Sequence, residues 1–323
     1  MIKKIAILTS GGDAPGMNTV IKAAVNVALN ENLETFVVKE GYLGLYNNKI
    51  EKVSKEDVKD IDVKSGTFIF TKRFPEFDND KNRQQAVDNL NSRGIDALIV
   101  IGGDGSFRGA NKLSQMGIKT IGIPGTIDGD IAFNDLTVGY LTALDTIVES
   151  IDKVKDTITS HGRIAVIEVM GKGCGLLALS AAIANDIDVL SIPEKKISED
   201  EIISKVEKVL KNGQNQVTVL VTELMYDVNK LAKKIEEKTK KVTRATILGH
   251  TQRGGKPVPF ERINAYKLGS FAVSELLKGK TGITVSVLNN KLISTPFEKT
   301  VNNKLKISED LFNTYKLMKG NKN

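Results

Sequence analysis

The chain has 323 residues, 41% hydrophobic and 26% charged, with a formal net charge of +7, which describes an ordinary globular protein long enough for two lobes. No apolar run approaches the ~20 residues of a membrane span, and MIKKIAILTSGG is broken too soon by glycine for a signal peptide, so neither membrane nor export is expected. The basic excess is lysine spread along helices, as in KKIEEKTKK, with no tryptophan to stack on bases, which argues against nucleic acid; the single Cys174 excludes an internal disulfide and fits a reducing cytoplasm.

KKIAILTS reads as a buried strand, followed by a glycine loop and a helix over 17–30. IDALIVIGG (95–103) is a second strand; in the helix after it Phe107, Ala110 and Leu113 mark one face and Gly117 a C-terminal cap. KTIGI is a third. Residues 137–159 carry the clearest helical period, with Tyr140, Leu144, Ile147, Ile151 and Ile158 on one stripe. RIAVIEVMG, DVLSIP, QVTVLVTE and TRATILGH are further strands, and Ser198 with Glu201 forms a capping box for a helix ending at Asn212–Gly213. The tail YKLMKGNKN reads as a frayed end. Apolar strands without alternation, each followed by a helix, mean parallel sheets covered on both faces.

In such sheets ligands bind beyond the carboxyl ends of the strands. SGGDAPGMN, GGDGS, PGTIDGD, EVMGKG, TE and GHTQRGG all fall there. TSGGDAPGMN suits the approach of phosphate to a helix N-terminus, although it lacks both the Rossmann and the Walker spacing; a purely geometric turn is an equal reading. In IGGDGS, Gly102, Gly103 and Gly105 bare the backbone, Ser106 can donate to phosphate, and Asp104 offers a hard oxygen. An acid beside phosphates predicts Mg²⁺; the alternative is an aspartate capping the next helix. In PGTIDGD, Asp128 and Asp130 would share a face in extended chain and repel, so a cation or a mobile proton is expected there. Asp128 is the candidate base for an attacking hydroxyl, Thr126 positions the acceptor, and Asp130 orients it or holds water on the metal.

Only eight of the 46 basic residues are arginine, which marks places where the planar five-donor fork is used. Arg73, Arg163, Arg244 and Arg253 are expected near one sheet edge, with Glu223 and His250 at strand ends, an arrangement suited to an anionic acceptor.

These segments resemble the bacterial ATP-dependent 6-phosphofructokinase family. LTSGGDAPGMN, EGYLGLY, RFPEF, RGIDALIVIGGDGS, PGTID, EVMG, TRATILGH and QRGG-PVP all stand in family order, and the likeness is weakest in the C-terminal tail. The resemblance implies an α/β fold of two Rossmann-like three-layer lobes with mostly parallel sheets, an ATP lobe of 1–138 plus 257–303 and a sugar-phosphate lobe of 139–256 plus 304–323. It implies transfer of the γ-phosphoryl of ATP to the 1-hydroxyl of fructose 6-phosphate with Mg²⁺, in the cytoplasm, by a homotetramer whose sites are shared between subunits. In the family pattern Gly12, Arg73, Phe74, Gly103, Asp104, Gly105 and Ser106 contact ATP, with Asp104 on the metal and Asp128 as base. Thr126, Met170, Gly171, Lys172, Glu223, His250 and Arg253 meet the sugar phosphate, and Arg163 and Arg244 reach it from a neighbouring subunit.

Departures from the pattern also carry expectations. Pyrophosphate-using relatives have Asp and Lys where this chain has Gly105 and Gly125, so ATP is the expected donor. Gly129 replaces an asparagine, which should loosen the base loop, and Lys172 replaces an arginine, which keeps charge but loses the fork. At the positions of the family's effector site stand Lys22, Asn26, Lys55, Lys155, Asp188, Asn212, Gln214 and Gln216, a set poor in charge that implies weak regulation by ADP or phosphoenolpyruvate. Rival readings are a lipid, NAD or other sugar kinase, a nucleotide-binding subunit without activity, and a dinucleotide oxidoreductase, the last lacking G-x-G-x-x-G.

Overall fold

A strand that is apolar at every position needs cover on both faces, and helices supply it here. The computed structural model describes residues 2–320. In chain order, β1 (Lys4–Ser10), α1 (Met17–Asn30), β2 (Glu34–Val38), α2 (Gly41–Tyr46), β3 (Ile50–Lys52), α3 (Asp80–Ser92), β4 (Ala97–Gly102), α4 (Asp104–Gln115) and β5 (Lys119–Pro124) come first. The long α5 (Tyr140–His161) leads to β6 (Ile164–Val169), α6 (Leu176–Ala184), β7 (Val189–Ser191), α7 (Glu199–Lys211), β8 (Val217–Thr222), α8 (Val228–Thr239) and β9 (Thr243–Ile247). Then follow α9 (Pro259–Leu277), β10 (Ile283–Leu288), β11 (Lys291–Pro296), α10 (Phe297–Val301) and α11 (Glu309–Met318). The chain divides into two units, Met1–Thr142 with Arg253–Leu305 and Ala143–Gln252 with Lys306–Asn323.

The first unit holds a seven-stranded sheet of order β11-β10-β5-β4-β1-β2-β3. Its five central strands run parallel, and only the edge strands β3 and β11 are antiparallel. Side-chain alternation explains the layers. Ala6, Leu8, Leu98 and Val100 point to one face, where Tyr42, Leu90, Phe107 and Phe297 of the helices cover them. Ile5, Ile7, Ile99 and Ile101 point to the other and are equally buried. Each such side chain contributes about 1.5–3 kcal/mol by leaving water. The second unit holds a parallel sheet of order β7-β8-β6-β9, with α7 and α8 packed on the face of Val166, Val219 and Val221. The α/β reading of mostly parallel, doubly covered sheets holds.

Two local expectations fail. The helix read over 137–159 begins at Tyr140, because Val138 is taken into a bridge with Gly125 and Gly139 adopts a positive φ. The tail read as frayed is helical through Met318. Tyr315 donates to the carbonyl of Ile187 at 3.1 Å, and Lys319 pairs with Asp186 at 2.5 Å. Residues 321–323 of that tail lie outside the described residues. The capping box is half formed: Ser198 accepts the Glu201 amide at 3.1 Å, while the Glu201 carboxylate lies 3.8 Å from Lys205.

Candidate active site

Register brings the first unit's loops together. Ser10 pairs with Gly102 and Gly102 with Pro124, so three neighbouring strands end at one level and each hands over to a glycine: Gly11, Gly103 and Gly125. Ser106 ties two of these loops, its hydroxyl donating to the carbonyl of Ser10 at 3.0 Å. That hydrogen is therefore committed, and what Ser106 presents outward is a backbone N–H. The first intrahelical bond of α4 runs from the Phe107 amide to the Gly103 carbonyl, which leaves the amides of Asp104, Gly105 and Ser106 without helical partners, a ready anion site.

Asp104 does not cap α4. Gly103 occupies the cap position, and the Asp104 carboxylate takes both Nε and Nη2 of Arg108, at 3.1 and 2.8 Å. A β-carbon at Gly105 would meet nothing within 4 Å, so the space over these amides is open. Gly12 leaves room for a close approach: a β-carbon there would lie 2.5 Å from Nη1 of Arg253, and the guanidinium would have to move. That guanidinium donates to the carbonyl of Asp13 at 2.9 Å, so Arg253 grips the loop after β1. Arg73 is exposed, and Phe74 is half buried in an aromatic group, 5.4 Å from Tyr46 and 6.2 Å from Phe77.

The third loop carries the candidate base. Asp128 is buried, and its amide donates to Thr126 Oγ1 at 3.2 Å. Thr126 is held in turn: its amide donates to Val138 O at 3.0 Å, and its carbonyl accepts Thr137 Oγ1 at 2.6 Å. Asp128 and Asp130 do not share a face of extended chain as expected, because Gly129 between them sits at φ 68. Asparagine and glycine both tolerate that left-handed region, so Gly129 preserves the backbone shape that an asparagine would give.

In the second unit, Glu223 follows β8, and its Oε1 accepts the amides of Gly171 and Lys172 at 3.3 and 2.9 Å. Gly171 has φ 143 and Lys172 φ 56, and a β-carbon on Gly171 would strike the carbonyl of Cys174 at 2.4 Å. Met170 is fixed through its amide to Oε1 of the fully buried Gln252 at 3.0 Å, and His250 is exposed nearby in sequence. Burial raises the carboxyl pKa of Glu168 on β6, and the charge of Glu223 adds to the shift.

The arginines do not gather as expected. Arg163 directly precedes β6, and Arg244 lies at the start of β9, opposite Ala165. Both are at the amino ends of strands whose carboxyl ends carry Met170–Lys172 and His250. Six residues of strand separate those ends by about 20 Å. Arg244 instead bonds Glu236 at 3.3 Å and the Thr243 carbonyl at 3.0 Å. Strand direction thus puts Arg163 and Arg244 at the sheet edge opposite Met170–Lys172.

A model of the family described as phosphofructokinase matches residues 4–276. The chain belongs to the phosphofructokinase family. Among its relatives, the ATP-dependent 6-phosphofructokinase of Photobacterium profundum is 48% identical over 97% of this chain and 98% of that protein, and the one from Buchnera aphidicola is 50% identical over 91% and 92%. The solved phosphofructokinase of Saccharomyces cerevisiae is 34% identical with a TM-score of 0.85; the match covers 98% of this chain but only 47% of the yeast chain.

In this phosphofructokinase-family chain the remaining set, Lys22 to Gln216, is largely engaged internally. Lys22 lies 2.6 Å from Asp62, Lys55 donates to Asn30 at 2.5 Å, and Lys155 to the carbonyl of Asn185 at 2.5 Å. Asp188 accepts the amide and hydroxyl of Thr218 at 2.7 and 2.8 Å. Asn212 and Gln214 line a cavity of about 990 Å³ in the second unit, to which Lys205, Lys208 and Lys316 contribute charge; Asn26 and Gln216 are half buried. Two contributors escaped the sequence reading. Gln252 stands in QRGG beside an arginine that drew attention first. Arg108 sits on a helix face where a salt bridge with Asp104 reads as ordinary i, i+4 spacing.

Proposed function

We propose that the chain transfers the γ-phosphoryl of ATP to the 1-hydroxyl of fructose 6-phosphate, giving fructose 1,6-bisphosphate and ADP, the committed step of glycolysis. The observation that supports it most is that the loops carrying the bare α4 amides, Asp104 and the buried Asp128 leave neighbouring strands at one level of the first sheet. The amides and the α4 N-terminus suit the triphosphate. Asp128 takes the proton as the sugar hydroxyl attacks, and Thr126 holds its backbone in place. Glu223 and the turn Met170–Lys172 hold the acceptor, with His250.

Mg²⁺ fits the residues present. Among the described residues no group of three or more His, Cys, Asp or Glu side chains gathers. A single half-buried carboxylate beside open amides, held here by Arg108, is the donor set this ion uses when substrate phosphates and water complete its shell. Asp104 would hold it; when bound it neutralises charge on the transferred and leaving phosphates. No helix among the described residues is long and apolar enough to cross a membrane, which is compatible with a cytoplasmic site of action.

The family pattern assigns Arg163 and Arg244 to a neighbouring subunit's site in a homotetramer, and their place at the amino ends of β6 and β9, a strand's length from their own chain's sugar-binding turn, is compatible with that assignment. Coupled detection of ADP from ATP and fructose 6-phosphate tests the reaction; turnover with pyrophosphate and none with ATP would overturn the donor. Mixing inactive Asp128→Ser and Arg163→Ala chains tests the sharing. Hybrids with recovered activity support it, and hybrids as inactive as their parents refute it.

A further inference from the structure

Glu261 belongs to none of the loops above, yet it lies against Gly16 before α1 and against Gly139–Thr142, the segment that follows the Thr126–Asp128 loop. It stands in the first turn of α9 and is 0% exposed. Its Oε2 accepts the Thr142 amide at 3.1 Å and the Thr142 hydroxyl at 3.4 Å, and the nearby amides of Gly139 and Leu141 favour its charged form. Thr142 Oγ1 in turn accepts the amide of Val258, the N-cap residue of α9, at 3.2 Å. α9 has no side-chain cap of its own, so the two helix N-termini cap each other. Oε1 of Glu261 has no hydrogen-bond partner. A buried carboxylate with an orphaned oxygen is a costly way to fill space, a cost offset here only by the donors of Thr142 and its neighbours that it satisfies.

What the pair holds is specific. Just before Thr142, Thr137 and Val138 bond both sides of Thr126, and the Val138 amide donates to Pro124 O at 2.8 Å. A β-carbon on Gly139 would press on Ala14 at 2.5 Å and Ile127 at 3.3 Å. One on Gly16 would lie 3.0 Å from Val138 and 3.1 Å from Cγ of Glu261. Val258 ends the short segment from Arg253, whose guanidinium grips Asp13.

We infer that Glu261 is a positioning residue for phosphoryl transfer: together with Thr142 it fixes the phosphate loop, the Thr126–Asp128 loop and the Arg253 segment against one another. The inference rests on Asp128 being the base. The test is steady-state kinetics of the full-length enzyme as Glu261→Gln, Glu261→Asp and Thr142→Val, beside Asp128→Ser. Glu261→Gln should lose about 10- to 100-fold in kcat with the KM for ATP held within roughly twofold, since small misplacement of a reacting group acts on turnover. Its thermal midpoint should not fall, Glu261→Asp should recover part of the loss, and Thr142→Val should lose kcat in the same direction. Wild-type kcat in Glu261→Gln overturns the inference, as does a loss that merely follows a lowered midpoint. Undiminished turnover in Asp128→Ser would instead remove the base assignment beneath it, an outcome readable independently of the Glu261 variants.

Discussion

Glu223 and Glu261 perform the same local task in opposite surroundings. Each receives main-chain amides from a loop distant in sequence, Glu223 from Gly171 and Lys172, Glu261 from Gly139–Thr142. Glu223 stays half exposed at a strand's carboxyl end, so it can both brace a turn and meet a ligand. Glu261 is sealed under its loops and can act only through them. The difference separates contact from positioning, and the two should fail differently when altered.

The largest effect should come from the proposed base. Replacing Asp128 by serine should cost about 10²–10⁴ in kcat, the range of a positioned general base, with little change in thermal midpoint. Coupled ADP release and a melting curve together check it. A smaller loss would mean that another group takes the proton, and the contrast between the braces would lose its reference point.

The next effect concerns stability. Burial raises the Glu261 carboxyl to about 7 from an ordinary 4.5, against the pull of the backbone donors. Above both values the folded protein must hold a buried charge, a destabilisation on the order of 3 kcal/mol. As pH falls through 7 towards 4.5 the folded state binds a proton that the unfolded state does not, and the penalty disappears. Glu261→Gln should therefore melt higher than the wild type at alkaline pH, and the gap should close on acidification. A gap that is constant with pH would break the contrast in burial.

Glu223→Gln should show the complementary pattern. Losing a charged acceptor costs about 1.5–3 kcal/mol, which should appear as a raised KM for fructose 6-phosphate, with kcat less affected. If kcat falls while KM holds, Glu223 is a brace and nothing more.

Much of this was legible in the sequence because it is local. The helix over 17–30, the strand-ending glycines and the acids after them are set by neighbours in the chain. The strands next to the edges were not, since ETFVV (β2) and ITVSVL (β10) are strands through pairing with distant partners. The direction in which Arg163 and Arg244 point their strands was visible, but its consequence needed the register. Glu261 was unreadable for a physical reason. In PFERINAY a glutamate in a helix's first turn matches the helix dipole and looks solvated. Only the packing of Gly16, Gly139 and Thr142 over it shows otherwise.

Asp188 extends the comparison to a third carboxylate and to the smallest effect. It takes the amide and hydroxyl of Thr218, as Glu261 takes those of Thr142, and the Tyr315 hydroxyl beside it is pushed up by burial and by the acids Asp188 and Asp186. Lys22, Lys55 and Lys155 are likewise spent on Asp62, Asn30 and Asn185. An anionic effector would have to break these bonds, each worth about 0.5–1.5 kcal/mol, before gaining any contact. Phosphoenolpyruvate and ADP should thus shift the wild-type rate by less than about twofold, since the exchange nearly cancels. Strong inhibition by phosphoenolpyruvate, relieved by ADP, would show that Lys205, Lys208 and Lys316 around the cavity supply the charge instead, and that Asp188 resembles the half-exposed Glu223 more than the sealed Glu261.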